Sequence, residues 1–233
     1  MSNEQVKISD EIAKFLKDKE IKYVFGIIGS ANSHIFDSIN QLGYTEIICV
    51  HHEQAATMAM QSYYRISGKI TAAIVTAGGG SSNAITGVLS AWADSIPGIV
   101  ISGQENMRFI NTMKEMRMWG IQGFDSALMV DKITKYSALI TDSKKSIYEL
   151  EKSYHIAGKG RPGPVWIDYP MDIQGEKITP SDLEHFDINK EGSQDVDNLD
   201  MTSVLNLINS SKRPIFWLGH GIRLSGAETR IIS

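Results

Sequence analysis

Short apolar runs alternate with longer amphipathic stretches along most of this chain, and few folds tolerate that rhythm. Residues 23–28, 47–50, 71–75, 98–102, 136–140 and 165–168 are runs of four to six residues that read as strands. Between them, 35–41, 53–67, 83–93 and 143–157 read as helices. Gly43 follows the first of these helices and Gly68 the second, each placed as a C-cap. A further helix opens the chain, with Ser2 and Gln5 as a capping box and Ile12, Phe15 and Leu16 as its apolar stripe. Strands this short, separated by helices, mean βαβ units and a parallel sheet. Right-handed crossovers then put helices on both faces. The expected fold is therefore α/β, a doubly wound parallel sheet.

The rhythm breaks at 171–200, a stretch rich in Asp, Glu, Gly, Pro and Ser with little periodicity, which reads as an interdomain linker. Beyond it, 201–209 reads as a helix and 214–218 as a strand leading into Gly219-His220-Gly221. The chain has 233 residues, enough for one large domain or one domain and part of another. A net charge of −4 gives no footprint for nucleic acid. No apolar run reaches the length that spans a bilayer, and no N-terminal stretch has the basic-then-apolar pattern of a signal peptide, so a cytoplasmic location is expected. The single cysteine, Cys49, sits in an apolar run and reads as a small buried core residue.

In open α/β sheets, ligands bind outside the carboxyl ends of the strands. Two such ends carry chemistry here. The strand at 47–50 runs into His51-His52-Glu53-Gln54, which places a lone, buried-looking carboxylate at the mouth of a helix. The strand at 71–75 runs into Thr76-Ala77-Gly78-Gly79-Gly80-Ser81-Ser82-Asn83, a glycine-rich turn that lets backbone approach a flat ligand. The turn misses the dinucleotide fingerprint, because Asn83 stands where its third glycine belongs. Adjacent histidines point to opposite sides of an extended strand, so His51 and His52 make a poor metal pair. Without further context, Glu53 would be a first-turn glutamate that favours the helix N-terminus, and Ser81 and Ser82 would be caps. Met113, Met116, Met118 and Trp119 form an apolar group in a charged segment and read as core or subunit-interface packing.

In order and spacing, these pieces resemble the thiamine-diphosphate enzymes of the acetolactate synthase type. The match runs through Val24-Phe25-Gly26-Ile27-Ile28-Gly29, His52-Glu53-Gln54-Ala55-Ala56, Tyr64-Arg65-Ile66-Ser67-Gly68-Lys69 and the Thr76–Asn83 turn. It continues through Ala93-Asp94-Ser95-Ile96-Pro97, Ser102-Gly103-Gln104, Ile133-Thr134-Lys135-Tyr136 and Gly163-Pro164-Val165. The resemblance implies a pyrimidine-binding domain over 1–185, a linker over 186–200 and the opening of a middle domain over 201–233. It implies that Glu53 shares a proton with the cofactor pyrimidine, and that Thr76, Gly80 and Asn83 line the pyrimidine pocket. It places Ile28 and Gly29 against the cofactor, and Ser30 and Gln122 near the substrate. It further implies decarboxylation of a 2-keto acid and ligation of the product to an acceptor, in a homodimer or tetramer with sites between subunits.

The sequence also departs from that family. Relatives commonly carry proline at the positions of Ile28 and Gly79, glycine at that of Ser30, and glutamate at that of Gly123. No Gly-Asp-Gly occurs in the chain, although the family holds Mg²⁺ and the diphosphate through such a motif. The expectation is that Mg²⁺ and diphosphate are held by a missing C-terminal domain, and that this stretch alone is an incomplete enzyme. The competing expectation is a cofactor-less assembly or regulatory module of the same fold.

Overall fold

The computed structural model describes residues 5–113, 115–190 and 200–232. The chain divides into two compact units, Met1–Phe186 and Asp187–Ser233. Ser2 of the expected capping box lies outside the described residues. The first described elements are a two-residue strand, β1 (Val6–Lys7), and helix α1 (Ile8–Asp18). The Lys7 backbone N–H donates to the Asp10 carboxylate at 3.0 Å, which closes the helix start.

The first unit continues through β2 (Tyr23–Gly26), α2 (Ser33–Leu42), β3 (Glu46–Cys49), α3 (Glu53–Ser67), β4 (Ala72–Val75), α4 (Gly79–Ala93) and β5 (Gly98–Gln104). After these come the short helices α5 (Met107–Thr112) and α6 (Ser126–Val130), then β6 (Tyr136–Leu139), α7 (Ser146–Gly158) and β7 (Pro164–Pro170). A turn of helix, α8 (Met171–Gly175), leads to β8 (Lys177–Ile178). Six strands form one sheet in the order β3-β2-β4-β5-β7-β6, and every neighbouring pair is parallel.

Side chains alternate across that sheet and divide the core into two layers. Ala72, Ile74, Ile99, Ile101, Val165 and Ile167 pack with residues of α1, α2 and α7. Ala73, Val75, Val100 and Trp166 pack on the other face with residues of α3, α4 and α6. Two buried faces explain why these strands read as continuous apolar runs. The fold is thus the expected α/β parallel sheet with helices on both faces. Gly43 (φ 66°) and Gly68 (φ 69°) end α2 and α3 in the left-handed conformation that glycine adopts without strain.

Three local readings of the first unit are corrected. Helix α4 begins at Gly79, four residues before the expected start at Asn83, because tertiary packing overrides the low helix propensity of its glycines. The 171–183 stretch is no linker: it carries α8 and β8, and Ile173, Ile178 and Leu183 are buried. Strand β8 pairs antiparallel with β1, matching Val6 to Ile178 and Lys7 to Lys177. Two-residue strands leave no periodicity to read. Cys49 is exposed rather than buried, because β3 is an edge strand.

The second unit contains α9 (Met201–Ser210), α10 (Gly221–Leu224) and α11 (Glu228–Ile232). The Asp200 side chain caps α9 by accepting the Ser203 N–H. The expected strand at 214–218 does not form; Ile215 and Trp217 are 92% and 96% exposed. An apolar run becomes a strand only beside another, and no described residue of this unit offers a ladder. Most of 186–200, the expected linker, lies outside the described residues. No helix among the described residues is long and apolar enough to cross a membrane.

Candidate functional site

Strands β2 and β4 lie side by side, yet the chain leaves them in opposite directions. From β2 it passes through α2 to β3 on one side; from β4 it passes through α4 to β5 on the other. This divergence is a topological switch point, where a crevice opens at the carboxyl edge of the sheet. Gly29 follows β2, Glu53 follows β3 and Thr76 follows β4, so these residues meet at that crevice.

Glu53 is the first residue of α3, and His52 caps the helix by accepting the Gln54 N–H on Nδ1 at 3.2 Å. The Glu53 side chain is half-buried, less enclosed than its sequence context suggests. The Asn83 side-chain amide donates to Glu53 Oε2 at 3.0 Å, across 30 residues of sequence. With α4 starting at Gly79, Asn83 is the fifth residue of the helix rather than its first. The other carboxylate oxygen faces Gly80: a Cβ built there would stand 3.3 Å from Glu53 Oε1 and 2.6 Å from Thr76 Cγ2. A Cβ on Gly29 would stand 2.5 Å from Thr76 Oγ1. Thr76 therefore stands between two glycines, and its Oγ1 is buried without a hydrogen-bond partner. Such an orphaned buried hydroxyl is uncommon in a folded chain.

The loop after β2 is rigid for reasons the sequence did not disclose. The Gly29 N–H donates to Asn32 Oδ1 at 2.7 Å, and Asn32 Nδ2 donates back to the Ile27 carbonyl at 3.0 Å. Buried Gln174 of α8 donates to the Ala31 carbonyl at 2.7 Å. Ile28 and Ser30, by contrast, are exposed on this loop, with Ile28 59% accessible. Gln122 lies against the start of α4: a Cβ on Gly78 would stand 2.7 Å from the Gln122 carbonyl oxygen and 3.0 Å from its Cγ. The expected methionine group divides, with Trp119 buried and Met116 and Met118 exposed.

A buried carboxylate escaped the sequence reading. Asp168 of β7 is wholly buried. It accepts hydrogen bonds from Ser126 Oγ at 2.6 Å, the Ala127 N–H at 3.1 Å, Trp166 Nε1 at 2.7 Å and Gln104 Nε2 at 3.4 Å. Burial pushes its carboxyl up to about 6, against the opposing pull of Ser126, Trp166, Ser102 and Gln104. The signal available beforehand was an acidic residue inside an otherwise apolar strand. Among the described residues, no group of three His, Cys, Asp or Glu side chains could hold a metal ion.

A family model described as thiamine pyrophosphate enzyme, N-terminal TPP binding domain, matches residues 6–129. The acetolactate synthase large subunit of Haemophilus influenzae is 38% identical over 166 residues, covering 70% of this chain and 28% of that protein. That of Buchnera aphidicola subsp. Schizaphis graminum is 33% identical over 232 residues, covering 96% and 38%. The mitochondrial acetolactate synthase of Schizosaccharomyces pombe is 33% identical over 215 residues, covering 87% and 31%. The chain thus spans less than two fifths of the length of these relatives.

Proposed function

The chain belongs to the thiamine pyrophosphate enzymes, through their N-terminal TPP-binding domain, and from that premise we propose that it is the pyrimidine-binding part of an enzyme that decarboxylates a 2-keto acid and ligates the product to an acceptor. The observation that carries this reading is the cluster of side chains at the switch point: Glu53 held by Asn83, beside a buried, unpartnered Thr76 hydroxyl between two glycines. Those residues suit a flat aminopyrimidine. Gly29 and Gly80 let their backbones pack closely against Thr76, and the half-buried Glu53 carboxylate supplies a polar group for the ring's edge.

When bound, thiamine diphosphate supplies an electron sink for cleavage of the bond beside the keto carbonyl. Glu53 would hold and release a proton at the pyrimidine N1′ through Oε1, while Asn83 fixes the carboxylate through Oε2. The loop of Ile28 and Gly29 would form the wall opposite α4, stiffened by Asn32 and Gln174. Ser30 and Gln122 would face the substrate. Diphosphate and Mg²⁺ are assigned to a further domain of the complete protein.

Thiamine diphosphate with Mg²⁺, added to the complete protein, should raise its melting temperature. At a hundredfold excess over the dissociation constant the stabilisation is about 2.7 kcal/mol. A protein whose melting does not respond to the cofactor would remove this reading. We also propose self-association as a homodimer or a tetramer, since Leu89, Met116, Ile121, Leu128 and Met129 of the first unit are exposed. Sedimentation at tens of micromolar should show a species of at least two chains; monomer alone would count against it.

A further inference from the structure

Glu105 follows β5 at the same edge of the sheet as Glu53, and its carboxylate is the centre of a tight turn. Glu105 Oε1 accepts the backbone N–H groups of Ile121 at 3.3 Å and Gln122 at 3.2 Å. Trp119 and Gly123 close the turn by exchanging two backbone hydrogen bonds, of 2.8 and 2.9 Å. Glycines flank the carboxylate on both sides and leave it room. A Cβ on Gly120 (φ 58°) would stand 2.6 Å from Glu105 Oε2, and one on Gly123 would stand 2.5 Å from Glu105 Cγ. Gln104 secures the base of the arrangement: its Oε1 accepts the Glu105 N–H at 3.0 Å and its Nε2 donates to the Phe124 carbonyl at 2.9 Å.

The consequence lies in what the turn carries. Gln122 is pressed against Gly78, the N-cap of α4, the helix that also bears Gly80 and Asn83. A carboxylate that binds two consecutive N–H groups fixes the orientation of the peptide between them. We infer that Glu105 is a positioning residue: by binding the Ile121 and Gln122 amides it sets Gln122 against the start of α4 and so shapes the substrate side of the pocket. This rests on the thiamine-enzyme reading above. Among the described residues no hydrogen bond joins Glu105 to Glu53 or Thr76, so it acts on substrate fit and not on cofactor activation.

The test compares Glu105→Ala and Glu105→Gln with wild type in the complete protein. Four quantities are measured: amide hydrogen exchange at Ile121 and Gln122, the dissociation constant for thiamine diphosphate, C2 proton exchange on bound cofactor, and KM for whichever member of a 2-keto acid panel the wild type turns over best. Glu105→Ala should lose protection at both amides. It should raise KM about tenfold to a hundredfold, the scale of a displaced positioning group, while cofactor affinity and C2 exchange stay as in wild type. Glu105→Gln keeps an acceptor oxygen and should restore protection and most of the KM. An unchanged KM in Glu105→Ala, or a Glu105→Gln variant as impaired as Glu105→Ala, would overturn the inference. Should Glu105→Ala fail to fold, a large KM increase in folded Glu105→Gln with amide protection intact would overturn it too. A wild type that binds no thiamine diphosphate removes the thiamine-enzyme reading, and the substrate role with it. The exchange data then report separately on whether Glu105 holds the turn.

Discussion

Replacing Glu53 by glutamine in the complete protein is expected to slow C2 proton exchange on bound cofactor by about 10²–10⁴-fold, the range over which positioned acid–base groups contribute. Glutamine matches glutamate in size, and its carbonyl oxygen can still accept the Asn83 amide that holds Glu53 Oε2 at 3.0 Å. What it loses is the capacity to take up and return a proton. The fold should barely respond. Glu53 is a half-buried first-turn residue of α3, and the favourable pairing of its charge with the helix N-terminus is worth about 0.3–1 kcal/mol. The measurement pairs the exchange rate with a melting curve. Unchanged exchange in a well-folded variant would reduce Glu53 to a helix-start glutamate and remove the catalytic centre proposed here.

The largest stability effect is expected at Asp168. Truncation to alanine strips the acceptor from Ser126 Oγ, the Ala127 N–H, Trp166 Nε1 and Gln104 Nε2. Each buried donor left unmet costs about 1–3 kcal/mol, less where neighbours relax, so a loss of roughly 4 kcal/mol is expected in urea denaturation. The pH dependence runs opposite to that of a salt-bridged aspartate. The folded carboxyl is raised from 3.8 to about 6, so the folded state binds the proton more tightly than the unfolded chain does. Its stabilising contribution is therefore fully present below pH 3.8 and is lost as pH rises through about 6. That shift corresponds to about 3 kcal/mol. The wild-type stability minus that of Asp168→Asn should fall across this window and level off above it. A difference that stays flat there would show that the donors around Asp168 outweigh its burial.

The positions that the sequence made legible share one property: their signal is local. Continuous apolar runs placed β4 and β5 in a sheet covered on both faces, and Gly68 marked the end of α3 at the position where the structure ends it. Glu53 and the Thr76–Asn83 turn stood out because each follows a strand at the edge where α/β sheets bind ligands. The misses share the opposite property. Residues 171–183 belong to the first unit and are tied into it through a two-residue strand whose partner, β1, lies some 170 residues earlier in the chain. Cys49 is apolar in context and exposed in fact, because its strand lies at the edge of the sheet. The 214–218 run has strand composition and no strand beside it.

Glu105 and Asp168 were illegible for the same reason. The backbone and hydroxyl donors of Ile121, Gln122, Ser126 and Ala127 that hold them lie 16 to 42 residues away, and no spacing rule links them. By itself, the sequence determined the types of the elements, the faces they bury and the strand ends that carry polar groups, because periodicity and caps are properties of neighbouring residues. Only the tertiary structure decided that β2 and β4 lie side by side with diverging connections, which brings Gly29, Thr76, Gly80 and Glu53 around one crevice. Strand order depends on which edges pair through backbone groups that every residue shares. Side-chain pattern says which way a strand faces and leaves open which strand lies next to it.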